Sequence, residues 1–87
     1  MWKVEWDDRA RKELRSLSND LQTTILSYLK ERIATNQDPK RFGKPLVGNK
    51  KGLWRYRIGD YRLVCFIENK VCIVLVLAIG HRSSVYR

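Results

Sequence analysis

The stretch from 52 to 62, GLWRYRIGDYR, constrains the fold more than any other part of the chain. Aromatic or apolar residues alternate with arginines, and a period of two belongs to a half-buried β-strand. The Gly59-Asp60 pair between two such runs is the signal of a two-residue hairpin turn. A register follows. Ile58 faces Tyr61, Arg57 faces Arg62, Tyr56 faces Leu63, Arg55 faces Val64 and Trp54 faces Cys65. One face then carries Arg55, Arg57 and Arg62. The other carries Trp54, Tyr56, Ile58, Tyr61, Leu63 and Cys65. Like charges directly opposite on a sheet are destabilising. A solvated face is often charged, but three arginines with no acid among them fit a site for an anion better, because guanidinium geometry suits phosphate.

The rest of the chain builds around this hairpin. Trp2, Val4 and Trp6 alternate with Lys3 and Glu5, giving a short first strand. Asp7 or Asp8 can cap a helix in which Ala10, Leu14 and Leu17 recur at helical spacing, ending near Ser18-Asn19. Ser18, Asn19 or Asp20 can cap a second helix. Its stripe is Leu21, Ile25, Leu29 and Ile33, widened by Leu26, and it ends around Asn36 ahead of Asp38-Pro39. Residues 37 to 52 hold both prolines and three of the five glycines. They read as a basic loop with Lys40, Arg41, Lys44, Lys50 and Lys51, pinned to the core by Phe42 and Leu46. It leads directly into the arginine hairpin, so Lys44, Lys50 and Lys51 are candidate substrate contacts.

The second hairpin strand continues to Phe66-Ile67, and Glu68-Asn69-Lys70 reads as a turn. Val71 to Ile79 is nearly all apolar and suits a central strand. A three-residue turn places Ile67 opposite Val71, Leu63 opposite Leu75 and Arg62 opposite Val76. Val74, Val76 and Ala78 would then floor a groove rimmed by the arginines, with Arg82 extending toward the same side. The fold class is α+β: an N-terminal strand, an antiparallel two-helix hairpin, then a three-strand antiparallel meander whose twisted sheet carries the helices on one face. Residues 1–87 read as one domain.

Charge narrows the partners. Eighteen Lys plus Arg against nine Asp plus Glu give +9, which points to a polyanion: nucleic acid, an acidic protein or an anionic membrane surface. The longest apolar run is about half a membrane-spanning helix, and no signal peptide is visible, so a cytoplasmic protein without a membrane partner is expected. Cys65 and Cys72 fall on opposite sheet faces and read as two buried thiols. One histidine and two cysteines fall short of a zinc site, and neither a metal nor a cofactor is expected.

The candidate constellation is Arg55, Arg57, Arg62, His81, Arg82 and Tyr86. Guanidinium groups bind phosphate oxygens and stabilise charge developing in phosphoryl transfer. Tyr86 can stack on a base or bond a ribose hydroxyl. His81 has the side chain whose ordinary pKa suits proton transfer near neutrality. A histidine following a strand is also common as a plain surface residue, and a terminal tyrosine as a tucked aromatic. The residues alone establish an anion-binding face suited to nucleic acid.

These segments resemble the RelE/ParE superfamily, and more closely its RelE branch of bacterial toxin–antitoxin toxins. The resemblance rests on the strand and Arg-Ala helix (Val4 to Ala10), the helical hairpin and Gly43-Lys44-Pro45-Leu46-x-Gly48. It continues through Gly52-Leu53-Trp54-Arg55-Tyr56-Arg57, Tyr61-Arg62-Leu63-Val64, Gly80-His81-Arg82 and Ser84-Val85-Tyr86. It implies a RelE-like microbial ribonuclease-type fold and a ribosome-dependent endoribonuclease. Such an enzyme cuts mRNA in the A site through 2′-hydroxyl attack, without metal, and so inhibits translation. It also implies that Arg55 and Arg57 stand where relatives often carry lysines, that Arg62 contacts the transition-state phosphate, and that Arg82 matches a basic residue after the last strand. Tyr86 matches a terminal tyrosine that positions the substrate and helps activate the 2′-hydroxyl. Arginine is a very poor proton donor or acceptor, so proton chemistry moves toward His81 and the last residues. The implied partners are the ribosome and mRNA, and a cognate acidic antitoxin with an amphipathic helix, through which operator DNA is bound. Two alternatives remain: a ParE-like toxin that inhibits DNA gyrase without cutting RNA, and a degenerate basic domain that only binds an acidic partner.

Overall fold

A computed structural model describes residues 1–46 and 52–81. Strand β1 (Lys3–Trp6) runs into helix α1 (Asp8–Arg15), and helix α2 (Asn19–Tyr28) follows after a short turn. The capping signals act as expected. The Asp7 carboxylate accepts from the Arg9 N–H at 3.3 Å, and the Ser18 hydroxyl accepts from the Leu21 N–H at 3.2 Å. Asp8 in the first turn of α1 and Lys12 and Arg15 in its last turn complement the helix dipole. Ala10 and Leu14, four apart, form the buried face of α1.

The second stripe holds at Ile25, Leu29 and Ile33, all buried, but Leu26 is 45% exposed and does not widen it. Residues Leu29–Ile33 form a π-helical turn closed by the Ala34 N–H on the Leu29 carbonyl, which ends the helix three residues before the expected Asn36.

The described residues form a five-stranded sheet in the order β1-β5-β4-β3-β2, comprising β2 (Lys44–Pro45), β3 (Leu53–Ile58), β4 (Tyr61–Glu68) and β5 (Ile73–His81). The fold is α+β and the sheet is mixed, since β1 runs parallel to β5. The β3–β4 hairpin has the expected register at every pair from Trp54↔Cys65 to Ile58↔Tyr61. Gly59 takes φ +60 while Asp60 does not turn positive, the pattern of a type II′ turn.

The β4–β5 register differs from the expected one. Ile67 pairs with Val74 and Leu63 with Ile79, three and four residues beyond the expected partners, and Arg62 meets Gly80. The turn is longer than the sequence suggests. Asn69–Val71 form a 3-10 turn, and Cys72 follows in the left-handed region at φ 55. The three-residue shift is odd, so Val74 and Val76 lie in the core with Cys65 and Ile67 rather than under the arginines. A β-bulge between Val64 and Cys65 then reverses the parity of β5. Ala78 is on the arginine face, opposite Val64.

The helices cover one face of the sheet, α1 over β5 and α2 over β3. The core between them joins Ala10, Leu14, Ile25, Leu29 and Ile33 to Tyr56, Leu63, Val76 and Ile79. Pro39, not Phe42, pins the loop. It is buried within the 3-10 turn Pro39–Phe42, and its carbonyl accepts a 2.7 Å bond from the buried Tyr56 hydroxyl. Phe42 is 40% exposed, and Leu46 is half-buried, donating its N–H to the Leu53 carbonyl. Both cysteines are free. Cys65 is buried, and Cys72 is only half-buried at its turn. Among the described residues no helix is long and apolar enough to cross a membrane.

Candidate nucleic-acid interface

The face of the sheet turned away from the helices carries the cationic site. Arg57 and Arg62 are paired across the hairpin, and Arg55 pairs with Val64 on β4 and with Lys44 on β2. The short strand β2 was expected as loop, yet its pairing is what brings Lys44 beside Arg55. Gly43 makes that approach feasible. A Cβ there would stand 2.9 Å from both the Arg55 carbonyl oxygen and the Tyr56 ring.

Lys44, Arg55, Arg57 and Arg62 converge with Phe42 on a cleft of about 120 Å³. Val64 and Ala78, both buried but outside the helix-side core, lie on the same face beneath this rim. Opposite Arg62 stands Gly80, which adds no side chain and leaves that flank open. Among the described residues no acid lines the cleft. The ion pairs among the described residues, Arg9–Glu13 and Arg11–Asp8, both belong to α1.

Arg62 is held in place. Its Nη1 donates to the carbonyls of Gly59 at 3.2 Å and Tyr61 at 3.1 Å, both within the hairpin end. These bonds use one guanidinium nitrogen and leave the other edge of the fork for an anion. A donor fixed before the ligand arrives loses little freedom on binding it.

An aromatic flank joins the cleft. Phe42 lies between Arg41, 5.0 Å from the ring centroid, and Arg32 at 5.9 Å. Lys40 sits 5.7 Å over Trp54, which packs against the helix-side core and is not part of the cleft. The sequence reading assigned Phe42 to the core. Its setting in Lys40-Arg41-Phe42-Gly43-Lys44, an aromatic among cations, was the available signal for a nucleic-acid surface.

His81 is not gathered into the cleft. It pairs with Tyr61 at the end of β5, where the two rings meet edge to face at 5.8 Å, and Tyr61 packs against the helix-side core. Lys50, Lys51, Arg82 and Tyr86 lie outside the described residues. The remaining titratable groups near the hairpin are structural. Burial pushes the Cys65 thiol up to about 12, and burial, reinforced by Cys65 and Tyr28, raises the Tyr56 hydroxyl.

Together the fold and the cleft define a small basic α+β domain with a cationic cleft on the open face of its sheet. Comparison with known proteins gives that class a family. The model of the ParE toxin of type II toxin–antitoxin systems matches residues 4–86, and the chain belongs to this family within the RelE/ParE superfamily. Toxin RelG of Mycobacterium tuberculosis is 29% identical over 84 residues, 97% of this chain and 94% of the relative. Toxin RelE of the same organism is 32% identical over 78 residues, 90% of this chain and 78% of the relative. A chain of the M. tuberculosis toxin–antitoxin complex RelBE2 superposes with a TM-score of 0.83 at 27% identity, covering 93% of this chain and 98% of that one. The archaeal RelE–RelB complex from Pyrococcus horikoshii shares the fold, with a TM-score of 0.74 at 22% identity over 95% of this chain and 97% of that one.

Proposed function

We infer that this toxin is a ribosome-dependent endoribonuclease that cuts mRNA in the A site. The observation that carries the reading is the convergence of Lys44, Arg55, Arg57 and Arg62 on one cleft that, among the described residues, no acid lines. A phosphodiester passing through it meets cations from three strands. The substrate supplies its own nucleophile. The 2′-hydroxyl oxygen attacks the adjacent phosphorus, the P–O5′ bond breaks, and a 2′,3′-cyclic phosphate and a 5′-hydroxyl end result. One proton leaves the 2′-hydroxyl and one reaches O5′.

In this reading Arg62 contacts the phosphoryl oxygens as charge builds, with Arg55 and Arg57 beside it. Removal of one such fixed donor costs about a hundred- to a thousandfold in rate. Lys44, with Lys50 and Lys51 further along the chain, holds the flanking backbone, and Arg82 adds charge after β5. Tyr86 positions the substrate and helps activate the 2′-hydroxyl. His81 is the remaining group suited to moving a proton near neutral pH. Arg55 and Arg57 act by charge alone, since guanidinium does not give up its proton. The partner is an acidic antitoxin with an amphipathic helix, as the RelE–RelB complexes among the similar structures support. Its charge would speed association with a +9 chain more than it would fix affinity.

The test is a translation extract programmed with a defined message. Cleavage at ribosome-occupied codons, lost in Arg62→Ala and Tyr86→Ala, is the expected result, and an intact message under active translation refutes the reading. A second reading is favoured by the ParE description of the matching family. It makes the chain a non-nuclease inhibitor of DNA gyrase, and supercoiling inhibition without RNA cleavage would select it.

A further inference from the structure

Strand β5 is longer than the strand beside it. It spans Ile73–His81, but β1 pairs only with Ile73 to Val76, and the chain leaves β1 for α1 at Asp7, whose N–H bonds the Val76 carbonyl. From Leu77 onward, among the described residues, the edge of β5 facing β1 has no strand against it. An unpaired run of backbone donors at a sheet edge is free to fray unless something else takes its bonds.

One side chain does. The Ile79 N–H donates to Glu13 Oε1 at 3.0 Å, a contact spanning 66 positions of sequence. The β-bulge makes it available. Before the bulge the even-numbered residues of β5 serve β1, as the bonds to the Cys72 and Val76 carbonyls show. The extra residue reverses this parity, so the N–H of Ile79 turns to the open edge instead of into the β4 ladder. Glu13 lies one position from Leu14, which is buried against β5, so the helix is already held where its carboxylate can reach. The other neighbour of this carboxylate is Arg9, whose Nε is 3.8 Å away and whose side chain is largely exposed.

We propose that Glu13 is a positioning residue for the C-terminal end of β5: its carboxylate replaces the missing strand partner at Ile79 and so fixes where His81 stands against Tyr61. His81 is two residues beyond this bond, and the chain runs directly from it to Arg82 and Tyr86. The consequence for cleavage rests on the ribonuclease reading above, whereas the positioning itself does not.

The experiment compares wild type, Glu13→Ala, Glu13→Gln and Arg9→Ala by amide hydrogen exchange, by the ring contact between Tyr61 and His81 in NMR, and by cleavage in a translation extract. In Glu13→Ala, protection at Ile79 is expected to fall at least tenfold while that at Val74 stays within twofold, and the Tyr61–His81 contact should weaken. Cleavage should drop about tenfold or more. Glu13→Gln keeps an oxygen acceptor for the same N–H and should restore all three to within a few-fold, and Arg9→Ala should leave them unchanged. Unchanged protection at Ile79 and an unchanged ring contact in Glu13→Ala overturn the proposal, as does uniform loss of protection across β5, which would make Glu13 a general stabiliser. If wild type itself cuts no RNA, the ribonuclease reading fails and the exchange and ring-contact results still decide the role of Glu13. If wild type cuts and Glu13→Ala cuts equally well with Ile79 deprotected, the link from strand end to chemistry is refuted.

Discussion

The two faces of the β3–β4 hairpin share one backbone and one register, yet they obey opposite rules. On the helix side Tyr56 and Leu63 are opposite one another and fully buried. On the open side Arg57 and Arg62 are opposite one another, the arrangement that sheet energetics disfavours. The first face stabilises the fold, and the second withstands a cost because of it. Alternation lets one strand serve both purposes, since a side chain on one face does not touch its sequence neighbour on the other. Stability and activity should therefore separate cleanly between adjacent residues.

The sharpest break of that separation comes from a pair of truncations. Tyr56→Ala should cost about 3–5 kcal/mol of stability, measured by denaturant unfolding, because it empties a core position and leaves the Pro39 carbonyl without its donor. Arg62→Ala should lower cleavage about a hundred- to a thousandfold while changing stability by less than about 1 kcal/mol. A large stability loss in Arg62→Ala would merge the two faces into one structural unit.

Salt sharpens the comparison from the open side. If Lys44, Arg55, Arg57 and Arg62 each meet a phosphate, log affinity for single-stranded RNA should fall against log salt with a slope of about −3. That is a loss of roughly fiftyfold between about 50 and 200 mM, measured by fluorescence anisotropy. The unfolding midpoint in urea should move little over the same range.

Alkaline pH tests the helix side. The folded Cys65 thiol has its pKa raised from 9.0 to about 12 by burial, so above pH 9 the unfolded chain releases a proton that the folded chain retains. Stability is then fully present below pH 9 and declines by roughly 1 kcal/mol per pH unit until about 12. Cys65→Ala should weaken this dependence in unfolding curves, most clearly between pH 9 and 10, below the range of the raised Tyr56 hydroxyl, while leaving RNA affinity at pH 7 unchanged.

The smallest expected effect is a gain. Arg57→Thr removes the like charge opposite Arg62 and adds a β-branched residue suited to a strand, and should stabilise the protein by about 0.2–1 kcal/mol in thermal melts. The same variant should bind RNA more weakly, with a shallower salt slope. A destabilised Arg57→Thr would mean that the arginine stack carries no conformational cost.

What could be read from the sequence follows the same division. The hairpin was legible pair by pair because a period of two, a Gly-Asp turn and opposed faces all agree. The next turn was not. Cys72 adopts φ 55 without being glycine, and the longer turn it completes leaves no compositional mark, so Val74 and Val76 were assigned to the wrong face. Strand β2 is two residues long and contains Pro45, which argues against a strand within a sheet, but here it sits at the edge, where proline is tolerated. The convergence of Lys44 on Arg55 was thus expected as proximity rather than as pairing. His81 was grouped with the arginines for its chemistry, and only the four-residue shift of the β4–β5 register shows it opposite Tyr61 instead.

The most direct measurement is the mapping of 5′ ends on a message undergoing translation, with wild type and Arg62→Ala side by side. Wild type should leave new 5′-hydroxyl ends at ribosome-occupied codons, and Arg62→Ala, folded to the same melting temperature, should leave almost none. An intact message with wild type, or equal cleavage by both, would contradict the assignment of the arginine face to RNA cleavage.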